Sequence, residues 1–269
     1  MPALSRDQNS RAASARGDGV ALHPALLGVR AVLFDVGGTL THPDWSRLAQ
    51  LASREAGREF APAELERAFK DGLKGVDACI RRGEAPPVDT TRRHWTFRRM
   101  YGGLGVGEEA CERVCALLDE SHNERHLWCG VDPEAPRVLA ALKGAGLRTA
   151  VISNTEDGRL EELMALIELD RHFDFLIDSF VVGERKPDAA IFLRALARLG
   201  VEPREAAFVG DSYTHDALAA LTVGMSAILL DPLDLHPEAV CPRVRALGEL
   251  TGAEPDPRPR IDAATNRSE

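Results

Sequence analysis

Positive charge is in short supply along this chain. Its 269 residues hold 33 Lys and Arg against 42 Asp and Glu, a formal charge of −9, and the isoelectric point is about 5.5. That balance argues against non-specific binding to nucleic acid or to an anionic membrane surface. Long apolar runs are also missing: none approaches the roughly 20 residues needed to cross a bilayer. The first 28 residues, rich in Ala, Ser and Arg, contain no apolar segment of the signal-peptide kind. Arg6, Arg11 and Arg16 hint at a transit peptide, but Asp7 and Asp18 interrupt the basic pattern. Residues 1–28 are therefore read as a disordered tail, as are residues 251–269 with Pro255, Pro257 and Pro259. Cysteine is sparse and unpatterned. Its five positions, 79, 111, 115, 129 and 241, show no paired spacing and suggest reduced thiols in a cytoplasmic protein. Cys111 and Cys115 share one helix face and read as small buried hydrophobes rather than half of a metal site. No internal repeat is evident.

What is present is a grammar of short apolar runs that end in polar clusters. Ala31-Val32-Leu33-Phe34 is followed by Asp35-Val36-Gly37-Gly38-Thr39, and Thr149-Ala150-Val151-Ile152 by Ser153-Asn154. Ala207-Phe208-Val209-Gly210 is followed by Asp211-Ser212, with Asp216 five residues beyond Asp211. Lys186 sits on a loop ahead of a helix pattern. Each run reads as a buried strand and each cluster as the turn leaving it. In a parallel sheet those turns lie along one edge, where α/β folds bind ligands. Singly, each residue has an ordinary reading: Asp35, Ser153 and Asp211 as caps, Lys186 as a solvated loop, Asp216 as a first-turn carboxylate. The joint pattern outweighs those readings.

Asp35 with Thr39, then Ser153, Lys186, and Asp211 with Asp216, resemble in order the four motifs of the haloacid dehalogenase (HAD) superfamily, mostly magnesium-dependent phosphohydrolases. The likeness covers roughly residues 30–235. The run Val209–Asp216 and the later Val223-Gly224-Met225 carry a closer likeness to its domain-containing-3 subgroup.

Between Asp35 and Ser153 no clear strand appears. Four helix patterns fill the gap: one from Pro43-Asp44, one after Pro62 with Leu65, Phe69, Leu73 and Val76 inward, one from Asp89-Thr90, and one from Glu108 to Asn123. In the resembled family such an insert is a mobile cap. From Pro133, helices 133–145, 157–167, 188–199 and 214–222 alternate with strands 148–152, 175–178, 206–210 and 226–230. Glycines at 146, 200 and 224 close helices. The expectation is an α/β fold: a doubly wound parallel sheet, residues 29–41 and 128–250, with a helical cap at 42–127 inserted after the first strand.

The resemblance implies roles. Asp35 is the nucleophile, and Mg²⁺ is held by Asp35, Asp211 and the backbone carbonyl of Gly37. Lys186 and Ser153 meet the phosphoryl group, with Thr39 and Asn154 as binding residues, and Asp216 orients Lys186 or a water. One position departs. Most phosphatases of the superfamily carry a second Asp two residues past the nucleophile, and here that residue is Gly37. A general acid is worth about 10²–10⁴ in rate. Four outcomes remain open: a leaving group that needs no acid; a substitute such as His42; a dehalogenase or phosphonatase reaction; or phosphate binding with little turnover. Dehalogenases carry Tyr where Gly37 stands, and a phosphonatase wants a cap lysine, for which Lys70 and Lys74 look like solvated residues. Arg92, Arg93, His94, Trp95, Phe97, Arg98, Arg99 and Tyr101 form a basic aromatic stretch that either grips an anion or packs and solvates. Trp45 either lines the cleft or packs. The resulting expectation is Mg²⁺-dependent hydrolysis of a small phosphorylated metabolite by a monomer or homodimer. The alternative is a catalytically weak phosphate-binding or interaction protein on the same scaffold.

Overall fold

The computed structural model describes residues 20–82 and 90–252. Strand β1, Ala31–Phe34, is fully buried on both faces, which is what an uninterrupted apolar run requires of a central parallel strand. Two short strands follow in the chain as an antiparallel pair, β2 (Thr41–His42) and β3 (Gly130–Val131). The main sheet continues with β4 (Arg148–Ser153), β5 (Phe175–Asp178), β6 (Ala206–Gly210), β7 (Ser226–Leu230) and β8 (Arg243–Val244). Its order is β5-β4-β1-β6-β7-β8, parallel throughout. The chain builds outward from β1 to β5, then returns to the other side of β1 with β6. The crevice at the carboxyl ends of β1 and β6 is therefore a topological switch point.

Alternation along the strands feeds two cores. Val32 and Phe34 face α5 (Ala135–Gly144) and α6 (Leu160–Leu166), packing with Leu139, Leu142 and Met164. Ala31 and Leu33 face α8 (Ala189–Leu199), packing with Ile191, Phe192 and Leu196. Between β5 and α8 lies a four-residue helix, α7 (Ser179–Val182), which starts where the Asp178 carboxylate accepts the Phe180 N–H at 2.9 Å. Helix α9 (Ala219–Thr222) precedes β7.

A third core belongs to the insert: α1 (Trp45–Ala56), α2 (Pro62–Arg81), α3 (Thr90–Gly103) and α4 (Glu108–Glu124). Leu48, Leu65, Phe69, Met100, Tyr101 and Leu118 fill it. Asp44 caps α1 by accepting the Arg47 N–H at 3.0 Å, and Gly57 closes it at φ 68°. The β2–β3 ribbon joins insert to sheet, and Trp128 beside it packs against both cores.

Two expectations need correction at their edges. Residues 1–19 and 253–269 lie outside the described residues, but 20–28 are not tail-like. Leu26 is 1% exposed against the sheet, and the His23 N–H donates to the Leu250 carbonyl at 3.0 Å. Leu26, with Leu22 and Ala25 packed beside it, gives this segment apolar surface to bury. Likewise Thr251 is buried in the 3-10 turn Leu247–Thr251.

Candidate active site

Asp35 follows β1 directly, its N–H still paired to the Val209 carbonyl at 2.9 Å. The carboxylate therefore leaves the sheet in a fixed direction at the switch point. Thr39 Oγ1 donates to its Oδ2 at 3.2 Å. Lys186, from the loop before α8, reaches across and donates to Asp35 Oδ1 at 2.6 Å and to Asp216 Oδ1 at 2.7 Å. Its side chain is 2% exposed.

Asp216 arrives by an unusual route. Ser212 caps a π-helical turn, Tyr213–Leu218, and the wide turn lets the Asp216 carboxylate fold back to accept the Ser212 N–H at 3.0 Å. A side chain on Gly210 would collide with that carboxylate. Gly38 does the same service for Asp211: it sits at φ 94°, and any Cβ there would strike the Asp211 carboxylate.

Asp35, Asp211 and Asp216 each place a carboxylate oxygen within 4.8 Å of the others. Three carboxylates face one ammonium, an excess of two negative charges if all are ionised. Burial pushes the Asp216 carboxyl up to about 6, with Lys186 opposing and Asp35 adding to the rise. Burial alone would lower the Lys186 pKa, but the charges of Asp216 and Asp35 hold it above the ordinary lysine value. An all-oxygen cradle with glycine where any Cβ would intrude suits a hard cation such as Mg²⁺.

These groups open into a cavity of about 220 Å³. Ser153, at the end of β4, lines it with Asn154 and Gly37. The Asn154 side chain is already committed: Nδ2 donates to the Lys186 carbonyl at 2.8 Å and Oδ1 accepts the Lys186 N–H at 2.9 Å. It clamps the lysine loop through one N–H and one lone pair of its amide. Thr39 stands behind Asp35 and does not line the cavity. The insert supplies an apolar wall of Phe69, Leu73, Phe97 and Trp128.

Gly37 is covered. A Cβ there would lie 3.2 Å from two Trp128 ring carbons, so the indole fills the space a second carboxylate would need. His42 is turned aside: its Nδ1 donates to the Pro43 carbonyl at 2.8 Å, its ring lies over Gly130, and it does not line the cavity. Trp45 is core, edge-on to Phe69 at 5.5 Å. Lys70 pairs with Glu66 at 2.9 Å, Lys74 is exposed, and neither lines the cavity. Of the basic aromatic stretch, the side chains of Arg92, Arg93, His94 and Trp95 lie outside the described residues. Phe97 lines the cavity and Arg98 pairs outward with Glu112 at 3.5 Å.

Sequence reading missed His122, His126 and Asp157, which also line the cavity. The i,i+4 spacing of the two histidines was the available signal. Burial, then the neighbouring His122, lowers the His126 pKa from 6.5 to about 4, with Asp157 opposing. The folded value lies below the unfolded one, so the unfolded chain takes up the proton first as pH falls. Stability should decline by about 2 kcal/mol between pH 6.5 and 4 from this group. Urea unfolding at pH 7 and 4.5 checks this, with a smaller decline expected for His126→Asn.

Comparison with known proteins places the chain in a family. A family model for the haloacid dehalogenase-like hydrolases matches residues 29–224. The chain belongs to that family. Haloacid dehalogenase-like hydrolase domain-containing protein 3 of Danio rerio is 32% identical over 240 residues, 82% of this chain and 95% of that protein. Phosphoglycolate phosphatase 1 of Pseudomonas aeruginosa is 30% identical over 201 residues, 75% of this chain and 69% of that protein. The structure of the HAD-hydrolase YfnB from Bacillus subtilis shares the fold at 18% identity and TM-score 0.59, covering 82% of this chain and 96% of that one. Among the described residues of this HAD-like hydrolase, no helix is long and apolar enough to cross a membrane.

Proposed function

We propose that this HAD-like hydrolase cleaves a small phosphorylated metabolite with Mg²⁺ through an aspartyl-phosphate on Asp35. The observation that carries the reading is Lys186 bridging Asp35 and Asp216, with Asp211 alongside, at the mouth of the switch-point crevice. The phosphatase named among the relatives supports it. The free thiols Cys111, Cys115, Cys129 and Cys241 support a reducing, cytoplasmic setting.

Asp35, Asp211 and the Gly37 carbonyl would hold the ion, which when bound neutralises charge on the phosphoryl oxygens. Asp35 Oδ2 attacks phosphorus while Oδ1 stays on Lys186, so the reacting oxygen is the one that Thr39 steadies. The bond to the leaving oxygen breaks, and water then cleaves the acyl phosphate to regenerate Asp35. Lys186 balances the charge accumulating on the phosphoryl group. Ser153 donates to it, and Asp216 keeps the ammonium aimed at Asp35. The cytoplasmic partner is the phosphorylated metabolite alone, with the chain acting as a monomer or homodimer.

Trp128 over Gly37 favours a second statement: the site favours leaving groups that need little proton assistance. Gly37→Asp combined with Trp128→Leu, which frees the space, should raise the rate on an alkyl phosphate by roughly 10²-fold. It should change the rate on p-nitrophenyl phosphate or acetyl phosphate much less, because only a leaving oxygen of high pKa needs the proton. Equal relative change on all three, in a folded Mg²⁺-binding variant, would show that acid catalysis is not what this site lacks.

A further inference from the structure

A polar group on the cavity wall takes no part in the chemistry above. His122 on α4, His126 just beyond it and Asp157 in the loop after β4 bring one nitrogen or oxygen each within 4.8 Å of one another. The trio has the composition of a transition-metal site, but its hydrogen bonds argue otherwise. The Leu127 N–H donates to His122 Nδ1 at 3.1 Å, and the Trp128 N–H donates to His126 Nδ1 at 3.3 Å. A neutral imidazole that accepts at Nδ1 carries its proton on Nε2. A metal-ligating histidine binds through one bare nitrogen and donates from the other. Here ligation at Nε2 would force the remaining proton against a backbone N–H.

The two rings differ in what Nε2–H meets. His122 donates to Asp157 Oδ2 at 2.7 Å. His126, 7% exposed, has no partner for Nε2–H among the described residues. His126 lines the cavity, where a ligand can take up that donor. Asp157 is the acceptor beside it. The His122 and Arg159 N–H bonds outweigh burial and lower its pKa to about 2, so it is ionised at neutral pH. Each carboxylate oxygen has a further lone pair to offer.

The spot thus presents one donor and one anionic acceptor. Ligand-capable atoms of the two residues lie within 4.8 Å of each other, a span that one oxygen making two hydrogen bonds can bridge. A hydroxyl satisfies both, accepting from His126 and donating to Asp157. A carboxylate on the substrate accepts from His126 but cannot donate to Asp157, whose negative charge it meets. An alkyl group leaves both unmet. We infer that His126 and Asp157 form a hydroxyl-binding subsite that selects metabolites bearing a hydroxyl on the leaving group. This rests on the phosphohydrolase reading only in calling the ligand a leaving group.

The test pairs 3,4-dihydroxybutylphosphonate with butylphosphonate, binding each to the full chain in Mg²⁺ by calorimetry. The diol should bind about tenfold tighter or more. In His126→Asn, Oδ1 stands near the Nδ1 position to receive the Trp128 N–H, but the far donor is gone; the preference should fall to near unity. In His126→Gln the amide N–H approaches the Nε2 position and should restore part of it. Equal affinity in the wild type, no binding of either phosphonate, or a preference that survives His126→Asn, overturns the subsite. So does a tightly held Zn²⁺ that His126→Asn releases. Parallel assays with glycerol 1-phosphate and propyl phosphate separate the two readings. No turnover with the phosphonate preference intact keeps the subsite and removes the phosphohydrolase reading. Equal turnover of both esters with equal phosphonate affinities does the reverse.

Discussion

Asp35→Asn should lose phosphohydrolase activity by roughly 10⁴-fold or more, with Tm changed by only a few degrees. The amide keeps the shape of the carboxylate and an oxygen for Lys186 or Thr39, so packing around β1 is retained. What disappears is the nucleophile, and a reaction that proceeds through it has no second route of comparable rate. Steady-state assay of the variant beside the wild type, on whichever phosphate ester the wild type turns over best, checks the loss. Activity within about tenfold of the wild type would move the chemistry to another group.

Lys186→Met should give the largest stability change. The lysine is buried, and its two carboxylate partners are buried with it. Removing the cation leaves uncompensated charge in the sheet edge, which typically costs about 3–5 kcal/mol. The pH dependence should steepen in a defined window. Asp216 already titrates at about 6 with the lysine present, against 3.8 unfolded. Without Lys186 its folded value rises further, so the folded variant binds the extra proton first. Its stability should therefore increase as pH falls from 7.5 toward 5.5. The wild type has the same sign of dependence at the alkaline end. Its raised Lys186 pKa contributes stability that is complete below about 10.5 and is lost as pH rises through the folded value. Denaturant titrations of both proteins at pH 7.5 and 5.5 measure the difference. A variant as stable as the wild type at pH 7.5 would show that the bridge is not what holds these loops together.

Much of this site is legible because its determinants are local. An apolar run followed by Asp35-Val36-Gly37-Gly38 specifies a buried strand and a sharp turn within eight residues, and Gly38 at φ 94° is the turn in fact. The same holds for β4 with Ser153 and β6 with Asp211. The four helices of the insert were legible from periodicity and start signals, Asp44 among them. The helix after Asp211 was legible as a helix but not as a π-helical turn, because residue periodicity does not register the wide turn that lets the Asp216 carboxylate return to Ser212. β2, β3 and β8 are two residues each, too short for any period to register. Asn154 was legible as a site residue but not as a clamp, since its partner lies 32 positions away. Trp128 over Gly37, and Asp157 beside His122 and His126, are meetings of separate elements. Residue pattern carries no distance between them.

The central claim is a covalent phosphoryl group on Asp35. Wild-type protein with Mg²⁺ and acetyl phosphate, quenched in acid and reduced with borohydride, should convert residue 35 to homoserine, detected by peptide mass spectrometry. The modification should depend on both the phosphate donor and the metal. A protein that turns over substrate while residue 35 stays unmodified, or that carries the modification elsewhere, would contradict the account.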